Sequence, residues 1–350
     1  MDCKINTLIH EYIYNDILSV AEAELPWEKM KNKTILLTGA AGFIGYYLTM
    51  AMLIRNDLYG DNIKVLALVR NGEKAKKRFG DALNRSDITL LVQDVCSEIK
   101  TEEKADYVIH AASQASAYFF ENDPVGTIDA NLTGTYKVLE YAKACGAVTL
   151  FVSSLKIYGA LHTGKMKIEE TDIGYIDHTS YKNCYAQGKR ASETLCASFH
   201  KQYGLSIKIA RPSYIYGPSS LNDDRVWAQF IANIVRNQSI LLKSAGAPYR
   251  SFCYVTDTAT ALLKILLDGK DIFRTNTKLV AQKMAVLCQN DTSMSDITVK
   301  TLVEYGRYAH KKWWSGTGNE DKSIVEWAIR RTGMTKLQDL SLIHISEPTR

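Results

Sequence analysis

A glycine-rich turn constrains the fold of this chain more than any other segment. Gly39, Gly42 and Gly45 follow an apolar run at residues 34–37 and open a second apolar run that reaches residue 54. A strand that turns sharply into a helix needs this spacing. The first glycine allows the turn, the second lets backbone approach phosphates, and the third lets helix and strand pack closely. N–H groups at the helix start attract a pyrophosphate. The turn predicts a dinucleotide site, and a tight turn without a ligand is the alternative.

Apolar strands alternate with helical segments over most of the chain. This alternation predicts an α/β fold: a Rossmann-type, doubly wound parallel sheet with a smaller C-terminal substrate lobe. The predicted strands are residues 33–37, 63–69, 88–92, 107–111, 148–153 and 206–210. The predicted helices are residues 43–54, 131–143, 185–203 and 227–235.

The chain is expected to divide into four segments. Residues 1–30 are a helical extension, residues 31–216 the dinucleotide domain with the catalytic residues, and residues 217–339 the substrate lobe. Residues 340–350 look like the translation of a sequencing-library adapter, so we exclude them from the fold prediction. Residues 272–339 lack a consistent apolar period, which leaves a reading-frame error or simple divergence as explanations and predicts poor packing on the core.

The composition excludes several classes of protein. With 350 residues, 46% hydrophobic and 23% charged, the chain is an ordinary soluble globular protein. Its net charge of +5 is spread out, so we predict no nucleic-acid partner. It has no apolar run long enough to cross a membrane, and its first residues lack the apolar core and small-residue cleavage site expected of a signal peptide. The seven cysteines are scattered and form no CxxC pair, which indicates cytoplasmic thiols and no metal site.

A second motif supplies groups for acid–base chemistry. Tyr185 and Lys189 lie one helical turn apart and share a helix face, and Ser154 follows a predicted strand. A lysine cation, helped by an oxidised nicotinamide, lowers the pKa of the tyrosine. The phenolate can then take a proton from a hydroxyl while hydride leaves for the cofactor. A tyrosine that only packs its ring is the alternative.

The residue after the second predicted strand bears on the choice of cofactor. NAD enzymes usually place an acid there for the ribose hydroxyls, but this chain has Arg70. A cation tolerates a 2′-phosphate, so NAD and NADP both remain open, as does an exposed arginine without a ligand. Asp94, after the third strand, is a candidate acceptor for the adenine amino group.

The motifs together resemble those of a known family. The chain is similar to extended short-chain dehydrogenases/reductases of the NAD-dependent epimerase/dehydratase family, which act on nucleotide sugars. The resemblance rests on residues 38–45, 110–114, 131–135, 153–159, 185–189, 211–218 and 250–255, in the family's order. It implies NAD or NADP as cofactor and a nucleotide sugar as substrate.

The resemblance also implies roles for individual residues. Ser154 would hydrogen-bond the reacting oxygen, and Lys189 would hold the nicotinamide ribose. The implied cofactor contacts are Gly39, Gly42, Phe43, Ile44, Gly45, Arg70, Asp94, Val95, Ala111, Ala112 and Lys189. The implied substrate contacts are Ser113, Arg225 and Arg250. Arg250 is similar to an arginine that contacts the substrate diphosphate, which suits the guanidinium fork. Arg225 is a second candidate, and either arginine could instead be an ordinary surface residue.

One departure from the family pattern weakens part of the functional prediction. Lys156 stands where close relatives have a glutamate, and a 4,6-dehydratase needs that acid to eliminate water. The lysine argues against dehydration and, more weakly, against decarboxylation. The sequence nevertheless resembles UDP-glucuronate decarboxylase-like members. Three hypotheses therefore remain: a nucleotide-sugar epimerase or related oxidoreductase, a decarboxylase-like enzyme, and a catalytically silent NAD(P)-binding scaffold.

The resemblance finally implies a homodimer. Related enzymes often pair the Tyr/Lys helix and the preceding helix into a four-helix bundle. Candidate contact residues at helical spacing are Leu132, Tyr136, Leu139, Leu195 and Phe199. The alternative is that they face the sheet of their own chain.

Overall fold

The computed structural model describes residues 10–161, 168–240, 251–268, 298–305 and 319–331, together with residues 335, 338 and 339. The chain folds into two compact units, Met1–Gly269 and Lys270–Arg350. The main sheet lies in the first unit. The expected boundary at residue 217 stays a prediction.

A six-stranded parallel sheet forms the centre of the first unit. Its strands are β1 (Thr34–Thr38), β2 (Lys64–Val69), β3 (Ile88–Val92), β4 (Tyr107–His110), β5 (Val148–Val152) and β6 (Ile207–Ala210). They lie in the order β3-β2-β1-β4-β5-β6, and every neighbouring pair is parallel. The predicted doubly wound fold is confirmed. The strand order reverses between β1 and β4, which is where such sheets open a crevice at their carboxyl ends.

Eight α-helices are described in the first unit. They are α1 (Glu11–Ala21), α2 (Phe43–Tyr59), α3 (Gly72–Phe79), α4 (Ala117–Asn122), α5 (Pro124–Cys145), α6 (Cys184–Tyr203), α7 (Val226–Val235) and α8 (Val255–Asp268). Short 3-10 turns lie at Trp27–Lys29, Gly80–Asn84, Leu155–Tyr158 and Tyr181–Asn183.

The start of α5 shows why one predicted boundary was wrong. The helix begins at Pro124, well before the predicted residue 131. The Asp123 side chain accepts a hydrogen bond of 3.1 Å from the Gly126 N–H, and proline suits a first helical position. Capping chemistry, rather than apolar periodicity, sets this end of the helix.

The N-terminal extension is part of the main core. The α1 helix packs against α2 and α8, and Ile17 and Val20 are fully buried. The hydroxyl of Tyr254 donates a hydrogen bond of 2.7 Å to Asp16. This contact ties the extension to the segment that precedes α8.

A small second sheet follows the main one along the chain. Strand β7 (Tyr214–Tyr216) pairs in parallel with β8 (Phe252–Tyr254). Helix α8 begins directly after β8, and its residues Leu262 and Leu266 join the main hydrophobic core. The chain therefore returns to the central sheet after β8.

Two helices are described in the second unit, α9 (Val299–Tyr305) and α10 (Asn319–Arg331), and they pack against each other. The sequence of residues 301–310 is locally suited to a helix, which agrees with α9 as far as Tyr305, and residues 306–310 lie outside the described residues. The adapter-like segment at residues 340–350 and most of residues 272–339 also lie outside them. The frame-error hypothesis stays a prediction.

The packing of α1 generates a test of the fold. We expect Ile17→Ala to lower the free energy of unfolding by about 2–5 kcal/mol, because it leaves a cavity in a site that is 0% exposed. Tyr12→Ala is the matched control on the same helix, since Tyr12 is 75% exposed. Chemical denaturation measures both. Equal losses in the two variants would show that α1 is not part of the core.

Candidate active site

The glycine turn forms a cradle that side chains would fill. Gly39 has a φ of +70°, and a Cβ there would lie 2.9 Å from the Ala112 Cα. A Cβ on Gly45 would lie 2.3 Å from the Gly39 carbonyl oxygen. Gly42 donates a hydrogen bond of 2.8 Å to that same oxygen and caps α2. The backbone of β1, β4 and α2 therefore converges as a pyrophosphate site requires.

A cleft of about 460 Å³ opens beside this cradle. Seven of the predicted site residues line it: Gly39, Gly42, Arg70, Asp94, Val95, Ala112 and Ser113. They follow β1, β2, β3 and β4, so the carboxyl ends of four parallel strands build one site. The residues present fit an extended dinucleotide.

Four predicted cofactor residues lie elsewhere around the turn. Phe43, Ile44, Gly45 and Ala111 do not line the cleft. Gly45 instead allows the close approach of α2 to the turn, and the Phe43 ring packs under the Arg225 guanidinium at 4.3 Å.

The structure brings the three predicted catalytic residues together at the end of β5. The Tyr185 phenol hydrogen-bonds with Ser154, which caps the 3-10 turn after that strand. Lys189 lies one turn along α6, is 2% exposed, and donates a hydrogen bond of 2.8 Å to the Val152 carbonyl. Its Nζ lies 5.9 Å from the centre of the Tyr185 ring.

Burial shifts the proton affinities of both catalytic groups. It raises the pKa of Tyr185, and the hydrogen bond with Ser154 only partly offsets this. It lowers the pKa of Lys189 to about 7, against smaller opposing effects of Cys196 and Glu193. The pKa of Tyr185 is therefore shifted upward by burial, opposite to the lowering by Lys189 that the sequence predicts. A nicotinamide cation nearby would act against that burial effect.

An aromatic contact on Tyr185 was not predicted. The Phe120 ring on α4 stacks on the Tyr185 ring with centroids 5.1 Å apart. This contact fixes the ring plane and keeps water from one face of it. Since α4 has only six residues, its periodicity gave no signal.

A buried hydrogen-bonded chain through His110 was also missed. Thr135 donates to the Asn131 carbonyl, so it accepts from His110 Nε2 at 3.1 Å. His110 Nδ1 must then accept from the Thr38 hydroxyl at 2.7 Å, which makes the ring neutral with its proton on Nε2. Thr38 in turn accepts from the Ala112 N–H at 3.1 Å. This chain fixes the cleft wall at Ala112.

The same network reaches the catalytic helix. Ser192 on α6 donates a hydrogen bond of 2.6 Å to the Asn131 carbonyl, and Ser113 donates one of 2.9 Å to the Asn131 side chain. Asn131 thus links the cleft, α5 and α6.

Burial lowers the pKa of His110 to about 3, with a smaller contribution from the charge of Lys189.

Of the two arginines predicted to contact the substrate, only Arg225 lies within the described residues. Arg225 pairs with Asp223, with Nε 2.9 Å from Oδ1, and lies over the Phe43 and Trp227 rings. It thereby joins the loop before α7 to the start of α2. Arg250 lies outside the described residues. Contact of either with substrate stays a prediction.

Lys156, which stands in place of the glutamate that the family resemblance implies, lies in the 3-10 turn after β5. Its side chain is exposed and lies 5.6 Å from the centre of the Tyr214 ring. Glu193, on the catalytic helix, is held by Arg211 at 2.7 Å and by the Ser153 hydroxyl at 2.6 Å. Those contacts hold the Glu193 carboxylate between Ser153 and Arg211.

Fold and site together define a class. A doubly wound sheet with a glycine cradle at its switch point, and a Ser/Tyr/Lys group at the next strand end, is a nicotinamide-dependent short-chain dehydrogenase/reductase. The match to known families agrees: residues 35–276 match the NAD dependent epimerase/dehydratase family, and the chain belongs to that family. It is an enzyme of this family, which modifies nucleotide sugars, and its cofactor is a nicotinamide dinucleotide.

Individual proteins and structures are similar to the chain. UDP-glucuronic acid decarboxylase 3 of Arabidopsis thaliana is 34% identical over 243 residues, which cover 69% of this chain and 68% of that protein. The structure of UDP-N-acetylglucosamine 4-epimerase from Methanobrevibacter ruminantium M1, in complex with UDP-N-acetylmuramic acid, has a TM-score of 0.58 at 25% identity and covers 69% and 74%. A dTDP-glucose 4,6-dehydratase from Bacillus anthracis str. Ames, in complex with NAD, shares the fold at 20% identity and a TM-score of 0.57, covering 68% and 73%.

The described part of the chain lacks two features. None of its helices has the length and apolar character to span a membrane. Within the same residues, no group of three or more His, Cys, Asp or Glu side chains could hold a metal ion.

The cradle generates a test with a matched control. Gly39 and Gly60 both have positive φ, +70° and +62°, so alanine costs roughly 1–2 kcal/mol of conformational strain at either. Only at position 39 does the Cβ also collide with backbone, since nothing lies within 4 Å of it at position 60. We expect Gly39→Ala to weaken dinucleotide binding more than about tenfold and Gly60→Ala to leave it unchanged. Calorimetric titration measures this, and equal affinities would contradict the cradle.

The buried His110 generates a pH-dependent prediction. Its pKa is about 3 in the folded protein, against an ordinary histidine pKa of 6.5, so the unfolded chain binds the proton first as pH falls. The stability it contributes is complete above pH 6.5 and is lost toward pH 3. This linkage removes about 2 kcal/mol between pH 7 and pH 5.

Urea unfolding at these two pH values checks this prediction. The wild type should lose about 2 kcal/mol more than His110→Gln, which cannot titrate. Identical losses would mean that His110 is not buried as a neutral ring.

Proposed function

We propose that this protein catalyses reversible oxidation at a sugar hydroxyl of a nucleotide sugar, as an NAD(P)-dependent epimerase or related oxidoreductase. The main support for this proposal is the Ser154–Tyr185–Lys189 group at the end of β5. The neighbouring strand is β4, and the residues after it line the dinucleotide cleft. Membership of the NAD dependent epimerase/dehydratase family supports the same activity.

Tyr185 is the proposed acid–base group. Ser154 holds the substrate oxygen beside the phenol, and Tyr185 takes the hydroxyl proton as the carbon is oxidised. Bound nicotinamide supplies the hydride acceptor and later the donor. When the carbonyl is reduced again, Tyr185 returns the proton to the oxygen. Return of hydride to the other face of the sugar inverts the carbon.

Lys189 is proposed to tune this proton transfer. Its ammonium is fixed by the Val152 carbonyl at 2.8 Å, so its charge has a constant position relative to the phenol. Because burial lowers the pKa of Lys189 to about 7, the charge is only partly present at neutral pH. Nearby anionic oxygens of a bound ligand would stabilise the ammonium form.

A decarboxylase-like activity on UDP-glucuronic acid is the second candidate. The similarity to UDP-glucuronic acid decarboxylase 3, at 34% identity, favours it. Lys156, in place of the family's glutamate, argues against it. Release of CO₂ from UDP-glucuronic acid would identify the decarboxylase, and inversion without loss of CO₂ would identify the epimerase.

The proposed role of Tyr185 predicts the outcome of a single-atom change. Tyr185→Phe keeps the ring that stacks on Phe120 but removes the hydroxyl, so turnover should fall by about 10²–10⁴. Dinucleotide affinity should stay near that of the wild type. A panel of nucleotide sugars, read by chromatography of products, gives the rates, and calorimetry gives the affinity.

Tyr158→Phe is the matched control, since that hydroxyl accepts from Arg211 at 3.3 Å rather than from a catalytic group. Undiminished turnover by Tyr185→Phe, or equal losses in both variants, would overturn the assignment.

We further propose that the protein forms a homodimer through α5 and α6. Leu132 and Tyr136 on α5 are 40% and 42% exposed, on a face that also carries Val125 and Ile128. This apolar stripe supports a helical interface. Leu139 and Phe199, predicted as contacts, are instead buried in the chain's own core. They stabilise the α5–α6 pair and are not available to a partner.

The dimer proposal predicts the effect of one surface charge. Leu132→Asp should convert a dimer into a monomer without changing the unfolding temperature of the protomer, because the side chain is partly exposed. Light scattering at micromolar concentration measures the mass. Lys137→Asp on the same helix is the control. A monomeric wild type would contradict the proposal.

A cytoplasmic location is proposed on cysteine chemistry. Five cysteines in the described residues are free: Cys96, Cys145, Cys184, Cys196 and Cys253. Free thiols are typical of a reducing compartment. The proposed partners are a nucleotide sugar and a second copy of the chain, with no nucleic acid.

A further inference from the structure

We propose that the dinucleotide cleft selects NADP over NAD, and that Arg70 and Lys74 bind the phosphate on the 2′-oxygen of the adenosine ribose. The inference rests on the proposed function, since it takes a nicotinamide dinucleotide as the ligand of the cleft. The glycine turn alone fits NAD and NADP equally, and the residues after β2 distinguish the two cofactors.

The cleft wall after β2 is built from cationic and amide groups. Arg70, Asn71 and Lys74 all line the cleft. The Asn71 side chain accepts a hydrogen bond of 2.8 Å from the Lys74 N–H, which caps α3 and holds Lys74 one turn above Arg70. Arg70 follows the end of β2 and Lys74 lies in the first turn of α3, so both cations line the cleft from positions four residues apart in the chain.

Close packing keeps this wall in place. A Cβ on Gly72 would lie 3.0 Å from a methyl group of Val92, so the first turn of α3 lies tightly against the end of β3. Lys74 lies in the first turn of this eight-residue helix, which begins at Gly72. That end of the helix carries a partial positive charge, which adds to the two cations.

Carboxylates near this wall are engaged or lie at other edges of the cleft. Glu73 bridges to Lys76 at 3.0 Å on the exposed side of α3. Asp94 accepts from the Cys96 N–H at 2.9 Å, and Asp123 caps α5 at 3.1 Å. Asp129, on α5, lies beside the Cys96 thiol. Among the described residues, none of these acids is bonded to Arg70 or Lys74.

The chemistry of the two cofactors decides between them. The ribose hydroxyls of NAD need an acceptor after β2, and an acid there serves that purpose. Arginine and lysine are donors only, so they leave those hydroxyls without an acceptor. A 2′-phosphate instead offers anionic oxygens that match the planar fork of Arg70 and the point charge of Lys74. NADP would therefore provide hydrogen-bond acceptors for Arg70 and Lys74, and NAD would not.

Calorimetric titration of the full chain, freed of bound cofactor, tests the proposal. NADP should bind at least about tenfold more tightly than NAD. Arg70→Ala and Lys74→Ala should each weaken NADP about tenfold and change NAD affinity less than about twofold. Arg70→Asp should reverse the preference. Lys77→Ala is the control, because Lys77 lies on the same helix and does not line the cleft.

A second pair of probes separates the ribose site from general anion attraction. Adenosine 2′,5′-bisphosphate should compete with NADP at least about tenfold better than adenosine 3′,5′-bisphosphate. Equal competition, or NAD binding as tightly as NADP, overturns the proposal and leaves the proposed function standing. Failure of both dinucleotides to bind overturns the proposed function as well.

Discussion

The close approach of two backbone segments, Gly39 after β1 and Ala112 after β4, is the constraint on which the rest of the site depends. A Cβ at position 39 would lie 2.9 Å from the Ala112 Cα, so only glycine allows these strand ends to meet. That contact fixes the start of α2 and opens the cleft at the switch point of the sheet. The cradle, the cleft and the wall carrying Arg70 all take their positions from it.

Buried polar groups then connect the cradle to the catalytic helix. His110 bridges Thr38 and Thr135, and Asn131 passes the connection on to Ser192 on α6. Each of these groups is hydrogen-bonded, so burying them costs little and specifies one arrangement of β1, β4, α5 and α6. Lys189 and Tyr185 are held on that helix. The network therefore joins the end of β1 to the helix that carries Tyr185 and Lys189.

Sequence alone predicted the parts of this structure that depend on local patterns. The strand at Ile88–Val92 and the parallel sheet follow from apolar runs, and the glycine spacing identified the turn. Paired three-residue strands such as β7 and β8 are too short for periodicity to detect. The neutral His110 and the Phe120–Tyr185 stack depend on contacts between distant segments, which a single sequence does not reveal. Arg225 was predicted from its residue type, but its pairing with Asp223 emerged only in the fold.

The transfer of hydrogen between sugar and cofactor tests the central claim most directly. The enzyme would be mixed with a nucleotide sugar deuterated at the reacting carbon and quenched with alkali, in which the reduced nicotinamide is stable, within one turnover. Its dinucleotide would then be analysed by mass spectrometry. The account predicts one deuterium in the reduced nicotinamide ring, together with a slower turnover of the deuterated sugar. Product formation with no deuterium in the dinucleotide would contradict it, because the sugar carbon would then change without hydride transfer.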